Sequence, residues 1–279
     1  MTGDYGHSFA GELLGTFMLV FFGCSTVAVT VLFSAHTGLF QVAVVWGISV
    51  TLAIYATRHL SCAHLNPAVS LAMVIAGRMD VRKLPVYWVA QLTGGFLAGA
   101  AVYAIFSPSM AVVEAARHIV RGAPESVLTA MLFGEYYPNP SSPVLCSVSP
   151  AGAFAVEALG TFWLVLIIFA LTEGCNVGRP SSDVAPILIG LTITVLISIF
   201  APLTMAGFNP ARDFGPRLFA FLAGWGKVAI PGPRGGFFTI YILAPLVGGS
   251  LASLLFHKLL EPLMRGKHGA CSCKDHFSP

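Results

Sequence analysis

Two Asn-Pro-Ala triplets offer the most specific chemistry in the chain. Asn66-Pro67-Ala68 recurs as Asn209-Pro210-Ala211, 143 residues later. Asn is a strong helix N-cap and Pro is favoured at the first helical position, so each triplet reads as a helix start. If two such helices begin at one point, their positive ends meet there, each worth about half an elementary charge. That field repels cations, including a migrating proton. The two Asn amides add N–H donors at the same point, which would hold a water or alcohol oxygen as an acceptor. The irregular segments before each Asn, 58–65 and 204–208, would expose carbonyls, notably those of Cys62, Ala63 and His64 and of Met205, Ala206 and Gly207. Arg212 follows Asn209 by three residues. An Arg at membrane depth is costly unless it faces a wet lumen.

The elements that must position these groups are membrane helices. Of 279 residues, 56% are hydrophobic and only 10% are charged, with mean hydropathy +0.81. Too few charges remain to cover a water-facing surface, since ordinary globular chains carry roughly 25%. The net charge of +3 is too small and dispersed for nucleic-acid binding. Six cysteines, at 24, 62, 146, 175, 271 and 273, show no framework spacing. The composition therefore excludes a disordered chain, a disulfide-stapled miniprotein and a typical cytosolic enzyme.

A bilayer crossing needs about 20 apolar residues. Six stretches qualify, near 9–33, 39–57, 84–106, 151–171, 185–203 and 237–256. They are continuous rather than alternating, which predicts an all-α membrane protein and not a barrel. Two shorter pieces, 67–77 and 210–221, reach only roughly half a membrane at 1.5 Å per residue, and Pro216 is expected to break the second. They are predicted to be re-entrant half-helices. Six crossings put both termini on one side. That side carries nine Lys and Arg against six on the other, which predicts cytoplasmic termini.

The chain also repeats itself. Residues 10–17 (AGELLGTF) match 155–162 (AVEALGTF) at six of eight positions, and Gly94-Gly95 recurs as Gly248-Gly249. Three crossings plus one half-helix make each half, and an odd number of crossings forces opposite orientations. This inverted repeat is a transport architecture with its site near the midplane. The predicted organisation is one channel domain over 1–279: repeat one at about 8–106, an outer connection at 107–150, repeat two at 151–260 and a cytoplasmic tail at 261–279. A short helix is predicted near 110–121. Gly11/Gly15 and Gly95/Gly99 are small-xxx-small pairs suited to tight helix packing.

Taken together, residues 64–69 (HLNPAV), residues 207–216 (GFNPARDFGP) and the repeated Glu-x-x-Gly-Thr resemble the major intrinsic protein family, the aquaporins and glycerol facilitators, over nearly all of 8–262. The resemblance implies an aquaporin-like fold of six crossings and two half-helices. It also implies a homotetramer of right-handed bundles, each subunit with its own pore. It implies a selectivity filter of four residues: Arg212, Trp46, Ile197 and Ala206. Trp at 46 is similar to the glycerol branch, and Ile197 stands where water-selective members usually have His. Asp213, Arg217, Pro245-Leu246, His118-Ile119-Val120-Arg121-Gly122 and Tyr137-Pro138-Asn139-Pro140 lean the same way. A Trp wall suits the carbon edge of glycerol, and an Arg fork suits its hydroxyls.

Two departures stand out. Ala206 replaces a residue often aromatic in glycerol facilitators, which implies a wider filter admitting urea or larger polyols. Cys62 stands where the family usually has Gly; if φ is positive there, Cys is strained. Cys62 is expected near the lumen, as a mercurial target.

Glu12 and Glu157 are intramembrane carboxylates. They read either as a proton relay or as acceptors for N–H groups of the loops before the half-helices; the second reading is preferred. His64 reads as a loop-orienting residue rather than a titrating gate, and Asp213 as a local partner of Arg217. Tail residues His268, Cys271, Cys273 and His276 match no familiar zinc spacing, so no metal site is assigned. No acid, base and nucleophile cluster points to an enzyme, and no cofactor is implied. The function predicted is passive conduction of glycerol, water and related small neutral solutes across a cell membrane. A water-selective channel of the same fold, an ion-coupled carrier and a non-conducting junction protein are the rivals.

Overall fold

The computed structural model describes residues 2–142 and 147–266. The tail residues His268, Cys271, Cys273 and His276, and Cys146, lie outside them. Among the described residues the secondary structure is entirely helical. Six helices are long and apolar enough to cross a membrane. They are Thr2–Phe33, Leu39–Ser61, Leu84–Ala116, Pro150–Thr172, Ala185–Thr204 and Phe237–Arg265, here crossings one to six. Two shorter helices, Pro67–Ile75 and Pro210–Ala220, are the half-helices.

The local reason for each half-helix is the same. Crossing two ends at Cys62 and crossing five at Met205, both in the left-handed region at φ 70° and 64°. The chain then turns back and restarts at an Asn. Asn66 Oδ1 accepts from the Ala68 N–H at 2.9 Å, and Asn209 Oδ1 from those of Ala211 and Arg212 at 3.0 and 3.2 Å. Proline takes the first helical position, where its missing N–H has no partner to lose.

Packing exchanges the half-helices between repeats. The first lies chiefly against crossing six and the second against crossing three. Glycine pairs make this possible. A Cβ on Gly95 would sit 2.6 Å from the Ala211 carbonyl, and one on Gly249 3.2 Å from that of Ala68. Their neighbours Gly94 and Gly248 meet the backbones of crossings one and four, at Leu13 and Ala158. The repeated Gly-Gly is thus one contact to a crossing and one to the half-helix from the other repeat.

Three expectations need correction. Pro216 does not break the second half-helix, which runs through it to Ala220. Its ring lies against Gly95 and Gly99, which have no side chains to displace it. Nor is there a separate helix at 110–121. Crossing three continues past Pro108 to Ala116. Its extra turns are held by buried Met110 and by Glu114, which accepts from Arg121 at 2.8 Å and Thr129 at 2.8 Å. Crossing six extends beyond 256 to Arg265, with widened turns at Phe237–Leu243 and Phe256–Leu260. The first widened turn precedes Pro245, which removes one N–H from the helical ladder.

Candidate functional site

The two segments before the Asn residues are built alike. Cys62, Ala63 and Leu65 have φ of 70°, 52° and 53°; Met205, Ala206 and Phe208 have 64°, 65° and 54°. Cys62 therefore does occupy a positive-φ position. Six non-glycine residues in this region cost about 1 kcal/mol or more each, so the surroundings must hold them there.

Two buried carboxylates do much of that holding. Glu12 accepts from the His64 N–H at 2.9 Å and the Leu65 N–H at 2.7 Å, and from Ser61 and Gln91 at 2.8 and 2.7 Å. Glu157 accepts from the Gly207 and Phe208 N–H groups at 3.0 and 2.8 Å and from Thr204 at 2.6 Å. Both are fully buried, and neither borders the cavity described below. Three residues on from each, a glycine makes room for the side chain before the Asn. A Cβ on Gly15 would collide with Leu65, and one on Gly160 with the Phe208 ring. The repeated Glu-x-x-Gly is thus an acceptor and a socket for one loop.

The loops are also tied to each other. Asn66 Nδ2 donates to the Phe208 carbonyl at 2.9 Å, and Asn209 Nδ2 to the Leu65 carbonyl at 2.8 Å. One N–H of each amide is thereby committed to backbone, which leaves one donor per Asn rather than two. This cross-link was not foreseen in the sequence. It places the half-helix N-termini face to face.

A cavity of about 440 Å³ runs past both Asn residues. One end is bordered by Arg58, Arg78 and Arg179, the other by Trp46, Ile197, Ala206 and Arg212. Its lining includes the aliphatic side chains of Leu19, Val50, Leu164, Ile189 and Ile193. Also bordering it are Cys62, Ala63 and His64 and, from the second loop, Ala206 and Gly207. Among the described residues, the carbonyls of these five accept no bond from within the chain. Met205 does not border the cavity; its sulfur receives the Tyr136 N–H at 3.3 Å. Cys62 is exposed, and its thiol is free.

Trp46, Ile197, Ala206 and Arg212, far apart in sequence, come together at the end of the cavity away from Arg58, Arg78 and Arg179. The Arg212 guanidinium lies 4.0 Å from the Trp46 ring centroid, within cation–π range. Gly23 on crossing one provides the recess for that indole, since a Cβ there would collide with the ring. Asp213 and Arg217 pair at 2.7 Å, fully buried, as their i,i+4 spacing suggested. His64 Nδ1 lies 3.2 Å from Ser70 Oγ, and its ring packs near Tyr87.

Glu135, in the connection between the repeats, was missed in the sequence. It forms a buried ion pair with Arg212. Its N–H donates to Asp213 at 2.7 Å, and its carbonyl accepts from Arg217. A lone carboxylate in the otherwise uncharged run 126–138 was the available signal. Beside it, burial pushes the Tyr136 phenol up to about 12. That group stays a neutral donor to the Val228 carbonyl, at 3.1 Å.

Comparison with known proteins agrees with this geometry. The family model described as "Major intrinsic protein" matches residues 4–256. The glycerol uptake facilitator protein of Haemophilus influenzae is 41% identical over 264 residues, covering 94% of this chain and 95% of its own. A propanediol uptake facilitator of Citrobacter freundii is 36% identical, covering 94% of both chains. The X-ray structure of the aquaglyceroporin from Plasmodium falciparum superposes with a TM-score of 0.81 at 28% identity, covering 94% of this chain and 99% of that one. The chain is a multi-pass membrane protein with the aquaporin fold, and it belongs to the major intrinsic protein family.

Proposed function

We propose that the chain is a passive channel for glycerol and related small neutral solutes, together with water. The observation that carries this reading is the mixed lining of the cavity, which combines aliphatic side chains with loop residues whose carbonyls are uncommitted and reaches Trp46 and Arg212. A polyol has the matching mixture. Its CH edge suits the aliphatic side chains and its hydroxyls donate to the carbonyls. At the Asn pair, each amide keeps one N–H for a passing oxygen. The opposed half-helix ends oppose cations. The glycerol and propanediol facilitators among the relatives point to the same substrate class.

In this reading Trp46, Ile197, Ala206 and Arg212 form the selectivity filter. The two Asn-Pro-Ala motifs set the midplane, and Glu12 and Glu157 support the loops. Asn66 and Asn209 orient the oxygen of each solute. The working unit is a homotetramer with cytoplasmic termini, the connection lies outside, and no enzymatic activity is assigned. Ala206 leaves the filter wider than an aromatic residue would, so urea and larger polyols are included.

Light scattering by proteoliposomes tests this. With inward glycerol or urea gradients the vesicles reswell faster than protein-free ones, and with sucrose they only shrink. Fast water shrinkage without glycerol entry would instead identify a water-selective channel. A206F narrows the filter and lowers the flux of four-carbon polyols more than that of glycerol.

A further inference from the structure

We propose that Glu135 makes the filter reject anions, by cancelling the charge of Arg212. This rests on the channel reading above. At its end near Trp46, the path past Asn66 and Asn209 is bordered by the positive half-helix ends and the Arg212 guanidinium. That arrangement turns cations away, but by itself it invites anions, and a cleft with low-dielectric walls strengthens the invitation. A channel for neutral solutes must exclude both signs.

The charges near the filter settle which group does this. From the second half-helix come Arg212, Asp213 and Arg217; from the connection comes Glu135; from crossing four comes Glu157. Asp213 is committed to Arg217, through bonds of 2.7 and 2.8 Å. Glu157 is turned to the loop N–H groups. Glu135 is the carboxylate paired with Arg212.

The geometry of Glu135 suits a fixed counter-charge. Its N–H and carbonyl are both bonded to the Asp213–Arg217 pair, so the residue is pinned to the half-helix that carries Arg212. Only 3% of it is exposed, and its Oε2 is buried without a hydrogen-bond partner. An orphaned carboxylate oxygen is costly. A neutral acceptor would satisfy the same guanidinium with less to leave unpaired. What the carboxylate adds is charge.

The test uses proteoliposomes with potassium nitrate outside and valinomycin to balance charge, so that nitrate entry is read as reswelling. Wild type reswells in glycerol but, in nitrate, only at the protein-free rate. E135Q keeps the shape and removes the charge, and its nitrate rate rises about tenfold or more. Glycerol reswelling above the protein-free rate marks an assembled pore in each variant. R212Q reverses the imbalance, leaving Glu135 uncompensated, and favours potassium over nitrate in vesicles without valinomycin. An E135Q pore that passes glycerol and stays nitrate-tight overturns the inference. So does an R212Q pore with no cation preference, which carries the test if E135Q does not assemble. Wild-type vesicles that fail to reswell in glycerol would overturn the channel reading instead.

Discussion

The two halves of the molecule share a scaffold and differ in chemistry. In each, a Glu accepts two successive loop N–H groups, a Gly three residues later seats the side chain before the Asn, and three of the four residues before the Asn are left-handed. Each Asn caps its half-helix and ties the opposite loop. Three residues after the Asn the halves part. The first has Val69, and the second has Arg212 with Glu135, Asp213 and Arg217 around it. The comparison teaches that the loop scaffold is shared by both copies, while the charged cluster around Arg212 has no counterpart at Val69.

If the scaffold is shared, breaking it in either half should cost stability in proportion to the donors stranded. Glu12 serves four donors and Glu157 three. E12A and E157A should each lose about 3 kcal/mol or more, at about 1–3 kcal/mol per unsatisfied buried group, with E12A the worse. Thermal unfolding in detergent reads this, and an unshifted midpoint in either variant would contradict the shared role.

The glycine sockets sharpen the comparison. The Cβ of G160A meets the rigid Phe208 ring, whereas that of G15A meets the end of the flexible Leu65 side chain and, at 2.8 Å, the Thr57 hydroxyl. G160A should cost about 1–3 kcal/mol, the usual range for overpacking, and G15A less. Equal midpoints for the two would mean that the recess does not set the loop.

The smallest effects belong to Cys62. C62G should stabilise by about 1 kcal/mol, because glycine adopts the left-handed region without the Cβ penalty. C62S should abolish mercurial block of glycerol flux, since the free thiol borders the cavity. Unchanged block in C62S would move the mercury site elsewhere.

Much of this was legible in the sequence because it rests on local rules. Asn-Pro caps, long apolar runs and the duplicated Glu-x-x-Gly-Thr each carry their own signal, and these motifs carried the family resemblance that pointed to Trp46 and Arg212. What was not legible is tertiary. Pro216 reads as a breaker until Gly95 and Gly99 are seen against its ring. The helix beyond Pro108 depends on Glu114 reaching Arg121 and Thr129. Glu135 has no motif, and its meaning appears only when the connection folds over Arg212. The Asn cross-link needs both loops in place, because each partner is a backbone carbonyl that any residue would provide.

The most direct test of the central claim compares V69A and R212A, the residues three positions after the two Asn caps, in one reswelling assay. The measured quantity is the ratio of glycerol flux to potassium flux. The account predicts that V69A keeps this ratio near the wild-type value and that R212A lowers it about tenfold or more, on the scale by which a buried charge alters local ion concentration. Equal ratios in V69A and R212A would contradict the claim that rejection of ions rests on the charged cluster at Arg212.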